Sequence, residues 1–370
     1  MDGLYIHIPF CKSKCKYCDF ASFSGKENLI NEYINKLCLE MKEYQGHSFD
    51  TVYIGGGTPT VLDNASFEKL FDSIYKNFNI DKHSEITVEA NPKTIDLQKA
   101  KVLNSLGVNR ISIGAQSMVD DELKVLGRIH TSDDTKNTVA LVRDAGIDNI
   151  SLDLMYALFN QTMDSLCCSI DQITDLAPNH ISCYGLKIEE GTPFYTMLQK
   201  GEVCETDEDL TADMYDVIRT KLKNAGYEHY EISNFSKPGK ASRHNTKYWK
   251  CVDYVGIGLG AASCFKGERY TNSNVFDEYF NGFKKQERYT LTNSEKMSEF
   301  IILGLRLIKE GVSKADFKNT FGVDIYDVFG DTINKHINTN LIKDTGKNLV
   351  LTEKSYYISN YVMSDFVNNL

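Results

Sequence analysis

Short apolar runs alternating with longer amphipathic stretches organise most of the chain. "LYIHIP", "TVYIGG" and "EITVEA" are brief and rich in β-branched or aromatic residues, and "HISCYGL" after Pro178 makes another such run, so each predicts a strand. Between them lie segments of helical period, with Ile30, Tyr33, Ile34, Leu37, Cys38 and Met41 on one stripe and Met163, Cys167 and Ile170 on another. One local unit recurs, in which a helix stops at glycine and a strand follows at once. "NSLGVNRISIGAQS", "RDAGIDNISLDLM" and "KNAGYEHYEISNF" share it, with Gly107, Gly146 and Gly226 as left-handed stops. Six strands separated by helical segments of roughly 20 to 40 residues predict parallel βαβ crossovers, hence an α/β fold that is an open or partial barrel rather than a sandwich. In such barrels chemistry collects where the strands end, because the loops there converge on one mouth.

After about residue 200 the rhythm changes. "DEDLTADMYDVIRTKLKNAGY" predicts an amphipathic helix, and strand-like, glycine-rich segments run on to "VDYVGIGLGAASCF". Thr292 and Glu295 form a capping box opening a helix with Met297, Phe300, Ile301, Leu305 and Ile308 on one apolar face. The expected division is a barrel over 1–200, an α+β extension over 201–290 and a small, mostly helical, winged-helix-like domain over 291–370.

Composition narrows the partners. With 42% hydrophobic and 25% charged residues over 370 positions the chain folds as a globular protein of more than one packed unit. Acidic residues outnumber basic ones, 51 to 41, and the resulting charge of −10 repels nucleic acid and anionic membrane surfaces. "MDGLYIHIPF" carries no basic leader, and no run approaches the roughly 18 to 20 apolar residues of a membrane span, so a cytoplasmic location is expected. The ten cysteines are unevenly spaced and are expected as reduced thiols, with Cys38 and Cys167 in the core and Cys168, Cys183, Cys204, Cys251 and Cys264 buried or incidental.

"HIPFCKSKCKYCDF" places Cys11, Cys15 and Cys18 in one loop. A four-iron cubane held by three thiolates keeps one iron free for a small molecule, and Lys12, Lys14 and Lys16 offset the thiolate charge. Two other chemistries stand beside it: zinc on the three thiols plus His7, and a redox disulfide between Cys15 and Cys18 that leaves Cys11 unexplained. "GGGTP", Gly55 to Pro59, closes the second strand either as a plain tight turn or as backbone brought close to a ligand. Glu89, Gln116 and Asp153 put polar groups at strand ends, as solvated termini or as ligand contacts.

"YIHIPFCKSKCKYCDF", "YIGGGTPT", "EANP", "GAQS" and "GRIH", in this order, resemble the radical S-adenosylmethionine (SAM) proteins of the oxygen-independent coproporphyrinogen oxidase branch, from the N-terminus past residue 260. The resemblance implies a partial (β/α)6 barrel of TIM type carrying a [4Fe-4S] cluster on Cys11, Cys15 and Cys18, with the SAM amino and carboxylate groups on the fourth iron. It further implies that Gly56, Gly57 and Thr58 touch the methionine part of SAM, that Glu89, Gln116, Arg128 and Asp153 bind its ribose and carboxylate, and that Tyr5 and Tyr17 flank the cluster. One segment departs: "DLMYALFNQT" stands where the family reads "DLIYGLPGQT". With Ala157, Phe159 and Asn160 replacing Gly, Pro and Gly, the turn is expected to follow a different backbone.

The family holds two activities. One branch oxidatively decarboxylates coproporphyrinogen III, and the other binds haem and hands it to an acceptor protein. Three features resemble the haem-carrying branch: Asp19, Phe20 and Ala21 follow Cys18 without a further cysteine, only ten residues precede the cluster loop, and "RHNTKYW" matches the H-N-x-x-Y motif. That motif makes His244 and Tyr248 the candidate haem-binding residues, where an ordinary packed histidine and aromatic pair is the alternative. The implied partners are haem, an acceptor, through which alone a membrane would be touched, and a reducing electron donor. Oxidase activity is the alternative function and is not expected. Outside the family, a zinc interaction module and a SAM-dependent methyltransferase remain as alternatives.

Overall fold

The computed structural model describes residues 1–367. Strands β1 (Asp2–Ile8), β2 (Ser48–Gly56), β3 (Asn79–Ala90), β4 (Arg110–Gln116), β5 (Asn149–Tyr156) and β6 (His180–Gly185) are the six expected runs, each parallel to the next. The connecting helices start where the side chains of Asp63, Asp96, Thr131 and Thr162 accept the amide three residues on. Two of them stop where Gly107 and Gly146 take φ of +93° and +89°. Leu4, Ile6, Val52, Ile54, Val88, Ile111, Ile113, Ile150, Leu152 and Ile181 are buried in a continuous core. The sheet does not close on itself, so the expected open (β/α)6 barrel is the observed α/β architecture.

The segment 201–290 extends this sheet at both edges. At one edge, β7 (Glu228–Glu231) and β8 (Asn234–Ser236) are antiparallel additions beside β6. "KNAGYEHYEISNF" therefore keeps its glycine stop, Gly226 at φ +81°, but feeds a hairpin, since only Ile232 and Ser233 separate the two strands. At the other edge, β9 (Tyr254–Ile257) runs parallel to β1 as a seventh parallel strand. It is followed by antiparallel β10 (Ala262–Phe265), β11 (Glu268–Asn272) and β12 (Lys285–Thr290). The full order is β12-β11-β10-β9-β1-β2-β3-β4-β5-β6-β8-β7.

The last segment opens as expected, with the Thr292 and Glu295 capping box at the start of helix Asn293–Gly304. It also contains a three-stranded antiparallel sheet of β13 (Val312–Ser313), β14 (Ile342–Asp344) and β15 (Asn348–Leu351), with β15 central. Among the described residues no helix is long and apolar enough to cross a membrane.

Three local expectations are corrected. Cys38 and Cys167 are half-buried, and their helices bury Tyr33, Ile34 and Leu37, and Leu166, Ser169, Ile170 and Ile173, instead. Glu40, at the end of the first of these stripes, is fully buried and accepts hydrogen bonds from Tyr279, Gly258 and Asn272, which fasten the helix to the added strands. The "ALFN" turn keeps the glycine-type backbone in spite of its sequence: Ala157 and Asn160 adopt φ of +57° and +60°. Asparagine tolerates that region through its short polar side chain, whereas alanine is held there by the surrounding packing at a cost of roughly 1–2 kcal/mol.

Candidate functional site

After β1 the chain turns through Phe10–Cys11, which pairs with Phe23–Ser24 and so closes the intervening loop. Cys11, Cys15 and Cys18 all line one cavity of about 360 Å³ at the C-terminal ends of the parallel strands. Each thiol has a polar neighbour: Thr58 Oγ1 donates to Cys11 Sγ (3.5 Å), Arg128 Nη1 donates to Cys15 Sγ (3.3 Å), and Ser22 Oγ lies 3.6 Å from Cys18 Sγ. All ten cysteines are free, so no disulfide joins Cys15 to Cys18. His7 is buried with Nδ1 bonded to the Tyr5 hydroxyl (2.9 Å) and Nε2 to the Ala21 carbonyl (2.8 Å), so the arrangement of three thiols plus His7 on zinc is not formed. Among the described residues no three His, Cys, Asp or Glu groups converge as a single ion requires. Three separate thiols on one cavity wall fit a cubane, which spreads its ligands over different irons.

The glycine loop approaches the cysteine loop closely enough to exclude side chains. A Cβ on Gly57 would lie 2.8 Å from the Phe10 carbonyl oxygen and 3.0 Å from Cys11 Sγ, and one on Gly56, at φ +110°, would meet the His7 ring at 2.4 Å. Gly57 N and Thr58 N donate to the Ile8 and Phe10 carbonyls, both at 2.8 Å. Glu89 accepts from the Tyr53 hydroxyl (2.7 Å) and the Gly56 amide (3.1 Å). Burial pushes its carboxyl up to about 7, with repulsion from Asp153 adding to the rise. Asp153 accepts from Ser112 Oγ at 3.3 Å and is likewise raised by burial. Gln116, at φ +66° on the irregular end of β4, and Tyr17 complete the cavity wall. Arg128 Nη2 donates to Asn91 Oδ1 (2.5 Å) and the Gly114 carbonyl (2.6 Å), which anchors it between the cysteine loop and β4.

Thus Cys11, Cys15, Cys18, Tyr17, Gly56, Gly57, Thr58, Glu89, Gln116, Arg128 and Asp153 surround one cavity, whereas Tyr5 is not among its lining residues: it packs on Tyr53 of the wall and is linked to the cysteine loop through His7. Sequence reasoning passed over Arg110. This side chain is 2% exposed, lines the cavity, and leaves Nε and Nη1 without a hydrogen-bond partner. Its charge favours ionised Glu89 and Asp153. A charged residue heading the apolar run "RISIG" was the available signal.

The candidate haem motif forms helix Arg243–Trp249, which packs against Gly3, Thr51 and Glu85 near the starts of β1, β2 and within β3, and its Asn245 lines the same cavity as the three cysteines. Ser242 caps it, and the Glu85 carboxylate accepts the amides of Arg243 (3.2 Å) and His244 (3.1 Å). Arg243 and Lys247 pair with Asp50 near the start of β2. His244 is 1% exposed, with Nδ1 bonded to Thr51 Oγ1 (2.9 Å), Nε2 to the Tyr248 hydroxyl (2.7 Å), and its ring stacked on Tyr53 at 5.2 Å. Burial, reinforced by Lys247 and Arg110, holds the imidazole down to about 3, so it is neutral at physiological pH. Tyr248 also lines a second cleft of about 340 Å³, shared with Tyr5, Trp249, Tyr254, Cys251, Cys264 and Arg269, and with Glu299 and Leu303 of the last segment.

Residues 5–172 match the Radical SAM superfamily and residues 291–358 match the HemN C-terminal domain. Over 369 residues the chain is 36% identical to "Heme chaperone HemW" of Lactococcus lactis, covering 99% of this chain and 97% of that protein. Over 380 residues it is 35% identical to the protein of the same name from Bacillus subtilis, covering 100% of both. The fold matches coproporphyrinogen III oxidase HemN from Escherichia coli with a TM-score of 0.87 over 100% of this chain and 90% of that one, at 19% identity, a likeness of fold. With three thiols and a glycine loop on one cavity wall, and relatives of this similarity along its whole length, the chain belongs to the radical SAM superfamily and, within it, to the family of the heme chaperone HemW.

Proposed function

We propose that this chain is a haem chaperone of the radical SAM type, which holds a [4Fe-4S] cluster on Cys11, Cys15 and Cys18, binds SAM beside it, and passes haem to an acceptor protein. The observation that carries the reading is end-to-end similarity to heme chaperones in a chain whose three thiols share one cavity with the glycine loop. Those three cysteines would hold the cluster, whose chemistry when bound would be one-electron reduction of the SAM sulfonium. The protein's own share is placement. Bare backbone at Gly56 and Gly57 admits the methionine part, Thr58 orders the loop, and Asp153 and Glu89 accept hydrogen bonds from ribose hydroxyls or the ammonium. Arg128 supplies the cation for the carboxylate, while Gln116 and Tyr17 line the same wall.

A reducing electron donor is required, and the charge of −10 supports a cytoplasmic protein that avoids nucleic acid and meets a membrane only through the acceptor. Coproporphyrinogen decarboxylation is not expected, because the likeness to the oxidase is one of fold and no further cysteine follows Cys18 in "CDFAS".

Anaerobic reconstitution tests the reading. About four irons per chain, a reduced-cluster EPR spectrum that shifts on adding SAM, and stoichiometric haem uptake are expected, with Cys15→Ser losing the iron. Failure to take up haem, or decarboxylation of coproporphyrinogen III at an enzyme's turnover, would overturn it.

A further inference from the structure

We infer that the outward face of the cysteine loop, Lys12, Ser13 and Lys14 with Phe20 and Ile129 on either side, is the docking surface for an acidic one-electron carrier protein; this rests on the cluster-bearing function proposed above. The loop from Cys11 to Ser24 carries Lys12, Lys14 and Lys16 against a single acid, Asp19, in a chain whose net charge is −10. Lys16 is half-buried, whereas Lys12, Ser13 and Lys14, which separate Cys11 from Cys15, are all exposed. Their ammonium groups bond to backbone rather than to carboxylates: Lys12 Nζ donates to the Lys93 carbonyl (3.3 Å) and Lys14 Nζ to the Phe20 carbonyl (3.1 Å). Of the acids beside this face, Asp134 pairs with Lys93, Glu189 pairs with Lys187, and Asp19 also acts on Lys187. Both lysine charges are therefore left for a partner.

Two apolar side chains frame that charge. Phe20 is 64% exposed and Ile129 is 46% exposed. Phe20 is presented on a pinned backbone, since its carbonyl accepts from Lys14 Nζ and from the Ser22 amide. With Lys14 it borders the mouth of the cysteine cavity and a hollow of about 370 Å³ that runs to Asn274 and Gln286. Ile129 stands on the other side, beside Lys12, Ser13 and Cys15. Basic groups steer an acidic partner and the apolar side chains give it something to bury, a combination that a merely solvated loop does not need.

The route of the electron selects the partner. The inner side of the loop faces the cavity assigned above to SAM, so an electron arrives from the outer side, across Lys12, Ser13 and Lys14. One electron leaves the reduced carrier and enters the oxidised cluster; the carrier ends oxidised by one electron, and no bond or proton is transferred. A nucleic acid or an anionic membrane would also meet these lysines, but it would extend over the acidic remainder of the chain and it supplies no electron. A compact protein covers the patch alone.

The test uses the full-length, reconstituted protein and two probes, an acidic flavodoxin and an acidic ferredoxin. A carbodiimide, which joins amines directly to carboxylates, is expected to link Lys12 or Lys14 to one of these carriers, and added salt is expected to weaken the complex. The double variant Lys12→Glu, Lys14→Glu should slow association by about tenfold or more, Lys12→Gln with Lys14→Gln should slow it less, and Phe20→Ala should speed dissociation. Iron content and the EPR shift on adding SAM identify the variants whose loop is intact, and the cross-link on wild-type protein needs no variant. Linkage to neither carrier, association indifferent to both lysine variants, or links formed only between copies of this chain overturns the assignment and leaves the chaperone reading standing. Wild-type protein that holds no cluster sinks that reading instead.

Discussion

Glu89 shows how one side chain joins fold and site. Its carboxyl rises to about 7 because burial and Asp153 outweigh the Tyr53 hydroxyl, the Gly56 amide and Arg110. An acid raised from 4.5 binds its proton more tightly folded than unfolded, so its contribution to stability falls as pH climbs from about 4.5 to about 7 and stays low above that. The stability of Glu89→Gln relative to wild type should therefore rise by roughly 1–3 kcal/mol between pH 5 and pH 8 in ligand-free protein. Urea denaturation at the two pH values measures this, and SAM binding by the variant should weaken in parallel. Glu89 was legible as a polar strand end, but its tension with Asp153 was not, since the two lie on different strands and meet only across the barrel.

At the scale of elements, the strands and their helices were readable because capping and glycine stops act over three or four residues. Helix Arg243–Trp249 is of another kind. It is short, and its first amides depend on Glu85, a residue of β3 that is far away in sequence. Removing the carboxylate in Glu85→Ala leaves two donors unpaired and should cost roughly 1–3 kcal/mol. A lowered urea midpoint, with amide exchange accelerated over 243–249 more than over β1, is the expected result. The "ALFN" turn carries the converse lesson, because tertiary packing imposes a left-handed backbone on Ala157 that its residue type would avoid.

Across the whole molecule, the last segment is tied to the sheet through Glu231, which is fully buried and accepts from Arg306 Nη2 (3.0 Å), the Ser233 amide (2.9 Å) and Asn234. A backbone bridge joins Glu231 to Leu307, and the Arg306 guanidinium also lies 4.1 Å over the Trp249 ring. Arg306 thus couples the C-terminal segment both to the sheet edge and to the cleft. Arg306→Met strands a buried carboxylate and should destabilise the protein by roughly 3–5 kcal/mol, read from the denaturant midpoint.

What the amino-acid order determined by itself was everything set by near neighbours: the period of each run, the stops at Gly107, Gly146 and Gly226, the capping box at Thr292, and three thiols close enough in sequence to share a loop. Tertiary structure alone decided that residues 228–236 joined one edge of the sheet and 254–290 the other, that Arg110 stands among the cavity's acids, and that His244 is enclosed while Tyr248 faces a cleft. Those outcomes depend on Thr51, Tyr53, Glu85 and Glu299 meeting a helix remote from each of them in the chain. Such contacts follow from how the barrel bends and which of its ends is covered, and no local pattern encodes either.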